Sequence, residues 1–290
     1  MRNRASSGAS VKALEYHYNI GNEFYELWLD SSLSYTSALY RSENDTLEQA
    51  QIHKVDYHFQ QTNIYGVERL LDIGCGWGGQ LQRATTHYDV KHAVGLTLNK
   101  PHIDWIGSFH NPRIEVHLAS WREHQPDAPY DRICAWGVLE HAVRPDISNA
   151  EKVRVYTEFF ELCHQWLKPG GALSVQTITY ENAARSDLNE FIEQQIFPES
   201  DLPGQADIVR AREHLFEIMR LRNDRDHYER TLREWRRRLR ANAAAATDLV
   251  GEEVVKKYEK YLSLFMIGFH TATMNLSRFT LKRIDVPRGR

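Results

Sequence analysis

The chain has 290 residues, of which 42% are hydrophobic and 26% charged, and its formal net charge is −3. This length can bury one substantial core with a smaller appended subdomain. The weak net charge gives no electrostatic reason to expect a nucleic-acid partner, and the longest apolar runs fall far short of the roughly 20 residues that a membrane-spanning helix needs.

The first segment, residues 1–67, is predicted to be an N-terminal helical arm that contributes to a lid. Its clearest helix is TLEQAQIHKVDYHFQQ, because Asp45 and Glu48 have the spacing of a capping box in front of an amphipathic pattern. Strand-like alternation is nearly absent from this segment.

The second segment, residues 68–180, alternates short β-rich runs with helical stretches. The predicted strands are ERLLDIG, HAVGLTL, IEVHLAS, DRICAWG and GALSVQTIT. The helical stretch EKVRVYTEFFELCHQWL is expected to end at Lys168-Pro169-Gly170-Gly171. Such alternation predicts an α/β core, a parallel sheet with helices on both faces.

The remainder is predicted to be a helical substrate lid over residues 181–262 and C-terminal strands over 263–290 that complete the core sheet. REHLFEIMRLRND and HYERTLREWRRRLRA are interpreted as helical, and the alanine-rich stretch 241–246 as a helix junction. FHTATMNLSRFTLKRI returns to alternation and is interpreted as an edge strand.

A glycine-rich turn follows the first predicted strand in RLLDIGCGWGG, with Gly74, Gly76 and Gly78 at alternate positions. Glycines at a strand-to-helix turn permit a tight bend and let a ligand touch bare backbone. The spacing differs from the dinucleotide fingerprint, no acid follows at the ribose position, and the Lys-Ser/Thr of a Walker loop is absent. S-adenosylmethionine is the ligand that this pattern favours.

Several further blocks resemble the cyclopropane-fatty-acid and mycolic-acid cyclopropane synthases, a branch of the class I S-adenosylmethionine methyltransferases. The resemblance runs from about residue 15 to 285 through blocks such as EYHYNIGNEFYELWLDSSLSYTSALY, TLEQAQIHK, LLDIGCGWGG, VGLTLNK, LEH, LKPGG, IFPESDLPG, HYERTLREW and KYLSLFMIGF. It implies a Rossmann-like, seven-stranded class I methyltransferase core with an N-terminal helical arm and a helical lid insertion.

The resemblance also implies which residues hold the cofactor. Tyr35 and Thr36 are expected at its methionine end, with Trp121 able to stack on the adenine and His102 standing where the family has a glutamine near the ribose. The full implied set is Tyr35, Thr36, Asp72, Gly74, Gly76, Thr97, Leu98, His102, Ser120, Trp121 and Gly137.

In the resembled family an alkene attacks the sulfonium methyl, so a carbocation forms and a base must remove a proton. That base is a bound bicarbonate, and the catalytic positions implied here are Glu140, Tyr228, Ser37, Gln176 and Ile178. Ser37 and Gln176 replace the family's cysteine and histidine; both can still hydrogen-bond an oxyanion, but neither carries a positive charge. Bicarbonate retention is therefore left open. Aromatic walls that stabilise the cation are expected among Tyr18, Phe24, Tyr35, Trp136 and Tyr228.

These departures favour C-methylation of an alkene in a small lipophilic substrate (an isoprenoid, a prenylated secondary metabolite or a lipid) through a carbocation. The alternatives are a cyclopropane-forming synthase on an unsaturated acyl chain, an N-methyltransferase on a small amine, and a catalytically inactive cofactor-binding scaffold. The substrate, the methylated atom and the oligomeric state stay open.

Two further patterns concern partners and location. The arginines of HYERTLREWRRRLRA are interpreted as a solvated helix face, with an anion dock for a diphosphate, phospholipid head group or acyl carrier as the alternative, to which Arg210, Arg212, Arg220 and Arg222 would add from a neighbouring lid helix. Peripheral membrane contact is left open. Three cysteines without metal-type or disulfide-framework spacing predict a reducing cytoplasm and no metal site.

Overall fold

The computed structural model describes residue 8, residues 20–187 and residues 199–286. The strands are β1 Arg69–Ile73, β2 His92–Thr97, β3 Ile114–Leu118, β4 Tyr130–Trp136, β5 Leu167–Tyr180, β6 Phe216–Asn223 and β7 Met274–Arg283. The helices are α1 Asn22–Glu26, α2 Leu47–Gln61, α3 Gly79–His87, α4 Lys100–Gly107, α5 Asn149–Trp166, α6 Gln205–Ala211, α7 Arg225–Ala241, α8 Ala243–Val250 and α9 Glu252–His270.

The strands form one seven-stranded sheet in the order β3-β2-β1-β4-β5-β7-β6. Strands β1 to β5 run parallel to one another, whereas β7 lies antiparallel between β5 and β6. The five predicted core strands are confirmed, and the fold is that of the class I methyltransferase core. Within these strands, alternate residues enter separate apolar clusters on the two faces: Leu71 and Ile133 pack with α5, while Leu70 and Cys134 pack with α2 and α3.

Two predicted elements near the C-terminus are wrong. The stretch interpreted as a helix, REHLFEIMRLRND, contains strand β6, and Arg220 and Arg222 accordingly lie on that strand instead of a lid helix. The C-terminal segment interpreted as an edge strand is β7, which pairs on both sides, so β6 forms the edge. The predicted boundary at residue 262 also falls inside α9, which continues to His270.

A third apolar cluster joins the N-terminal arm to α7 and α9. Trp28, Trp235 and Leu262 are buried in it, and ring centroids of Trp28 and Trp235 lie 5.7 Å apart. The helices α7, α8 and α9, hereafter the lid helices, therefore pack on the arm and close over the sheet's carboxyl edge. The predicted junction in the alanine-rich stretch lies at Asn242, between α7 and α8.

The N-terminus of α2 is capped one residue later than predicted. Thr46 Oγ1 accepts a hydrogen bond from the Gln49 amide, and the Gln49 side chain accepts one from the Thr46 amide. Asp45 instead accepts hydrogen bonds from the amides of Arg41 and Ser42. The predicted pair of Asp45 and Glu48 is therefore corrected to Thr46 and Gln49.

Candidate active site

The glycine turn after β1 has left-handed backbone at all three alternate positions. The φ angles of Gly74, Gly76 and Gly78 are 75°, 53° and 77°, a region that side chains disfavour. A Cβ on Gly78 would lie 2.6 Å from Ile106 Cγ1, whereas a Cβ on Gly76 would meet nothing within 4 Å. The bend thus needs glycine, and Gly76 presents bare backbone to open space.

That open space is a cavity of about 800 Å³ between the carboxyl edge of the sheet and the lid helices, a size typical of ligand sites. It brings together almost all the residues predicted to hold the cofactor: Tyr35, Thr36, Gly74, Gly76, Thr97, Leu98, His102, Ser120, Trp121 and Gly137 line it. Asp72 lies buried beneath the turn and is not part of the lining.

His102 and Trp121 are held by neighbouring side chains. The Nδ1 atom of His102 lies 3.1 Å from Thr97 Oγ1, and burial lowers the pKa of this histidine to about 4, so the ring is neutral. The ring of Trp121 meets Phe159 edge-on, and the Arg122 guanidinium lies 4.1 Å from its centroid. Arg122 covers one face of Trp121, which leaves at most one face for a nucleobase.

A buried lysine lies in the cavity beside Thr36, and the sequence analysis did not identify it as a site residue. Lys54 lines the cavity and its Nζ atom donates hydrogen bonds to Thr36 Oγ1 (3.0 Å) and Ser34 Oγ (3.3 Å). Burial lowers its pKa to about 7, and burial also raises the pKa of Asp72 to about 7. The available signal was the position of Lys54 on the α2 face that also carries Leu47, Gln51 and His58, all buried.

Glu140 lies on the short 3₁₀ turn Leu139–His141 after β4 and lines the same cavity. Its Oε1 atom accepts a hydrogen bond of 2.7 Å from the Ile178 amide, while Oε2 is buried without a hydrogen-bond donor among the described residues. Burial raises the pKa of Glu140 from 4.5 to about 7. A carboxylate with one unengaged oxygen and this pKa is suited to accept a proton near neutral pH.

A sequence profile described as mycolic acid cyclopropane synthetase matches residues 5–279. The chain belongs to the mycolic acid cyclopropane synthetase family. The S-adenosylmethionine-dependent methyltransferase UmaA of Mycobacterium tuberculosis is 33% identical over 92% of this chain and 95% of its own length. The resemblance drawn from the motifs is thereby confirmed.

Solved structures of this family agree with the fold. The cyclopropane synthase MmaA2 of Mycobacterium tuberculosis has a TM-score of 0.85 and 30% identity, covering 96% of this chain and 100% of its own. The mycolic acid cyclopropane synthase CmaA1, solved with SAH and CTAB, has a TM-score of 0.84 and 29% identity, covering 95% and 99%. This family member is an S-adenosylmethionine-dependent methyltransferase.

The five expected anion ligands do not converge as the resemblance implied. Glu140, Gln176, Ile178 and Tyr228 line the cavity, but Ser37 does not. The Ser37 hydroxyl donates to the Ala38 carbonyl, and the Ile178 amide is already engaged by Glu140. Gln176 Oε1 lies 3.4 Å from Nε2 of His58, a buried histidine that the sequence did not single out. The residues present therefore do not fit the expected bicarbonate site.

Two or three of the candidate aromatic residues were expected to face the substrate. Tyr35, Trp136 and Tyr228 line the cavity, and Trp136 is fixed by a hydrogen bond from Nε1 to Ser174 Oγ. Phe24 does not line it and packs against Trp28 and Tyr258. Tyr18 lies outside the described residues. The lining adds an apolar set from α9 and β7 that the sequence analysis did not assign: Tyr261, Leu264, Phe265, Met274 and Leu276.

The arginine-rich helix α7 pairs its side chains within the chain. Arg238 forms ion pairs with Glu48 and Glu234, and Arg230 donates to the carbonyl oxygens of residues 42, 43 and 45. Arg233, Arg237 and Arg240 pair with glutamates. These partners favour the interpretation of a solvated helix face over that of an anion dock.

Among the described residues, no helix is both long and apolar enough to cross a membrane. In the same ranges, no group of three or more His, Cys, Asp and Glu side chains is arranged to hold a metal ion.

Proposed function

We propose that this protein transfers a methyl group from S-adenosylmethionine to a double bond of an unsaturated acyl chain and closes a cyclopropane ring. The observation that carries the proposal is the buried carboxyl group of Glu140, which lines the same cavity as the apolar residues of α9 and β7 and whose pKa burial raises to about 7. An oxygen base at an apolar, water-poor position is what ring closure needs, since a cation must survive until one specific proton is removed.

The residues around the glycine turn fit the cosubstrate. The bare backbone at Gly76 admits close approach, Thr97 and the neutral ring of His102 offer hydrogen bonds, and one face of Trp121 remains for a nucleobase. When bound there, S-adenosylmethionine supplies an electrophilic methyl group on a positively charged sulfur.

The chain's own residues then direct the reaction. The alkene π electrons form the bond to the methyl carbon as the carbon–sulfur bond breaks, which leaves a carbocation at the adjacent carbon. Tyr35 and Tyr228 line the same cavity, and aromatic rings stabilise positive charge near their faces. Glu140 Oε2 takes a proton from the transferred methyl group, and the released C–H electron pair closes the ring.

The relatives favour the cyclopropane alternative over the C-methylation of an alkene in an isoprenoid, prenylated secondary metabolite or lipid that the sequence favoured. MmaA2 and CmaA1 are both described as cyclopropane synthases. Methylation without ring closure is the second candidate, because Ser37 and Gln176 replace the family's cysteine and histidine and the expected anion site is not assembled.

The test is incubation of the protein with S-adenosylmethionine carrying a ¹³C-labelled methyl group and with lipids bearing cis-monounsaturated acyl chains. We expect a labelled ring methylene in the NMR spectrum of the product. A labelled methyl group on a branched chain would support the second candidate. Unchanged lipid, together with no binding of S-adenosylhomocysteine by calorimetry, would contradict both.

A further inference from the structure

Lys54 is a buried amine, cationic when protonated, that the proposed chemistry leaves unused. Its side chain comes from the second helix, is 1% exposed, and lines the cavity between Thr36 and Trp136. An ammonium group has three donor hydrogens. Two of them meet the hydroxyls of Ser34 and Thr36, and within the described ranges no carboxylate forms an ion pair with it.

The charged groups that face Lys54 come from three other elements. Asp30 follows α1, Asp72 lies on β1, and Arg278 on β7 adds a repulsive positive charge. The carboxylate oxygens of Asp30 already accept hydrogen bonds from the amides of Ser32 and Ser34. A buried charge without a close counterion is costly unless a ligand supplies one.

We infer that Lys54 binds the α-carboxylate of S-adenosylmethionine. The inference rests on the proposed function and deepens it. Thr36, which accepts a hydrogen bond from Lys54, is at the end of the cavity where the methionine part is expected. Lys54 Nζ also lies 5.5 Å from the centroid of the Trp136 ring, and its hydrogen bonds to oxygen among the described residues are those to Ser34 and Thr36, so an oxyanion can accept the third hydrogen. A charge-assisted hydrogen bond in a buried site is among the strongest that a protein makes. A free carboxylate or bicarbonate ion could accept the same hydrogen bond from Lys54. The test therefore separates these ions from the α-carboxylate of S-adenosylmethionine.

The experiment measures binding by isothermal titration calorimetry with two probes, S-adenosylhomocysteine and its analogue without the α-carboxylate. The variant is Lys54→Met, with Lys54→Gln as a second neutral replacement. Lys256→Met is the matched control, because it makes the same chemical change at a side chain that is 70% exposed and forms an ion pair with Glu252 on its own helix. All titrations are run in carbonate-free buffer and repeated with added bicarbonate.

We expect Lys54→Met to weaken S-adenosylhomocysteine binding by about 10- to 100-fold and to leave binding of the decarboxylated analogue unchanged. Lys256→Met should change neither. The melting temperature of the unliganded Lys54→Met protein should not fall, since an uncompensated buried charge is removed.

Three results would overturn the inference. An equal loss for both probes, with a lower melting temperature, would make Lys54 a structural support for Thr36. No loss for either probe would remove it from the site. A loss that appears only with added bicarbonate would assign it to a free oxyanion. If the wild-type protein itself bound neither probe, the proposed function would fail and this inference with it.

Discussion

Replacing Glu140 with glutamine should stabilise the protein at alkaline pH while it abolishes turnover. The pKa of Glu140 is about 7 in the fold against 4.5 for the ordinary group, and burial is the main cause. Because the pKa of Glu140 is higher in the folded than in the unfolded protein, its ionisation does not lower the free energy of unfolding at low pH. That free energy falls as the pH rises from about 4.5 to 7. One pH unit corresponds to about 1.4 kcal/mol, so the charged form costs about 3 kcal/mol at pH 8 and less than about 1 kcal/mol at pH 5.

Urea unfolding of the wild-type and Glu140→Gln proteins across this range measures the difference directly. Glutamine keeps an oxygen for the Ile178 amide and carries no charge. We therefore expect the stability gain of the variant to grow by about 2.5 kcal/mol between pH 5 and pH 8. Glu217→Gln, on the exposed side of β6, is the control and should show no such growth.

Activity supplies the second arm of the same test. As the proton acceptor, Glu140 works only when ionised, so wild-type kcat/KM should rise as the pH passes about 7. Glu140→Gln should lose about 100-fold or more of that activity while binding S-adenosylhomocysteine normally. A gain in stability that is independent of pH would refute the assigned environment, and full activity in the variant would refute the assigned role.

Three further changes test the scaffold. Gly78→Ala should destabilise the protein by at least about 1 kcal/mol, because the new Cβ would meet Ile106 in left-handed backbone; a melting temperature like that of the wild type would contradict the turn geometry. Asp224→Asn should cost about 3–5 kcal/mol in urea unfolding, because it leaves Arg278 buried without its 2.7 Å ion pair; a loss below about 1 kcal/mol would show that the pair is dispensable. Thr46→Ala should lower the free energy of unfolding by about 1 kcal/mol. If Asp45→Ala caused that loss and Thr46→Ala caused none, Asp45 would be the N-cap of α2, as the sequence predicted, and Thr46 would not.

The core sheet could be predicted because short runs rich in β-branched and other apolar residues alternate with helical stretches and are bounded by glycine or polar residues. Strand β6 could not, since it is an edge strand with most of its side chains exposed, and its Phe216 and Met219 have the three-residue spacing of a helix face. The interior position of β7 depends on which strands pair with it, and a single sequence does not contain that information.

The sequence identified residues that line the cavity where backbone placement decides their position, and it failed where side-chain direction decides it. The glycine turn and the residues after β2 and β4 converge because carboxyl ends of parallel strands meet at one edge. Ser37 was misplaced because its hydroxyl turns to the neighbouring carbonyl, a choice made by local packing. Ile178 was assigned to an external ion although Glu140 already satisfies its amide.

The antiparallel pairing of β6 with β7 has a consequence for how this scaffold can change. The lid helices leave the end of β6 and re-enter at the start of β7, and the two strands are adjacent partners. The part of the cavity wall formed by the lid helices is thus one continuous insertion whose two ends are neighbouring strands. A change in the shape of that insertion can alter the substrate pocket without altering the pairing of β1 to β5, provided that its contacts with the N-terminal arm are kept.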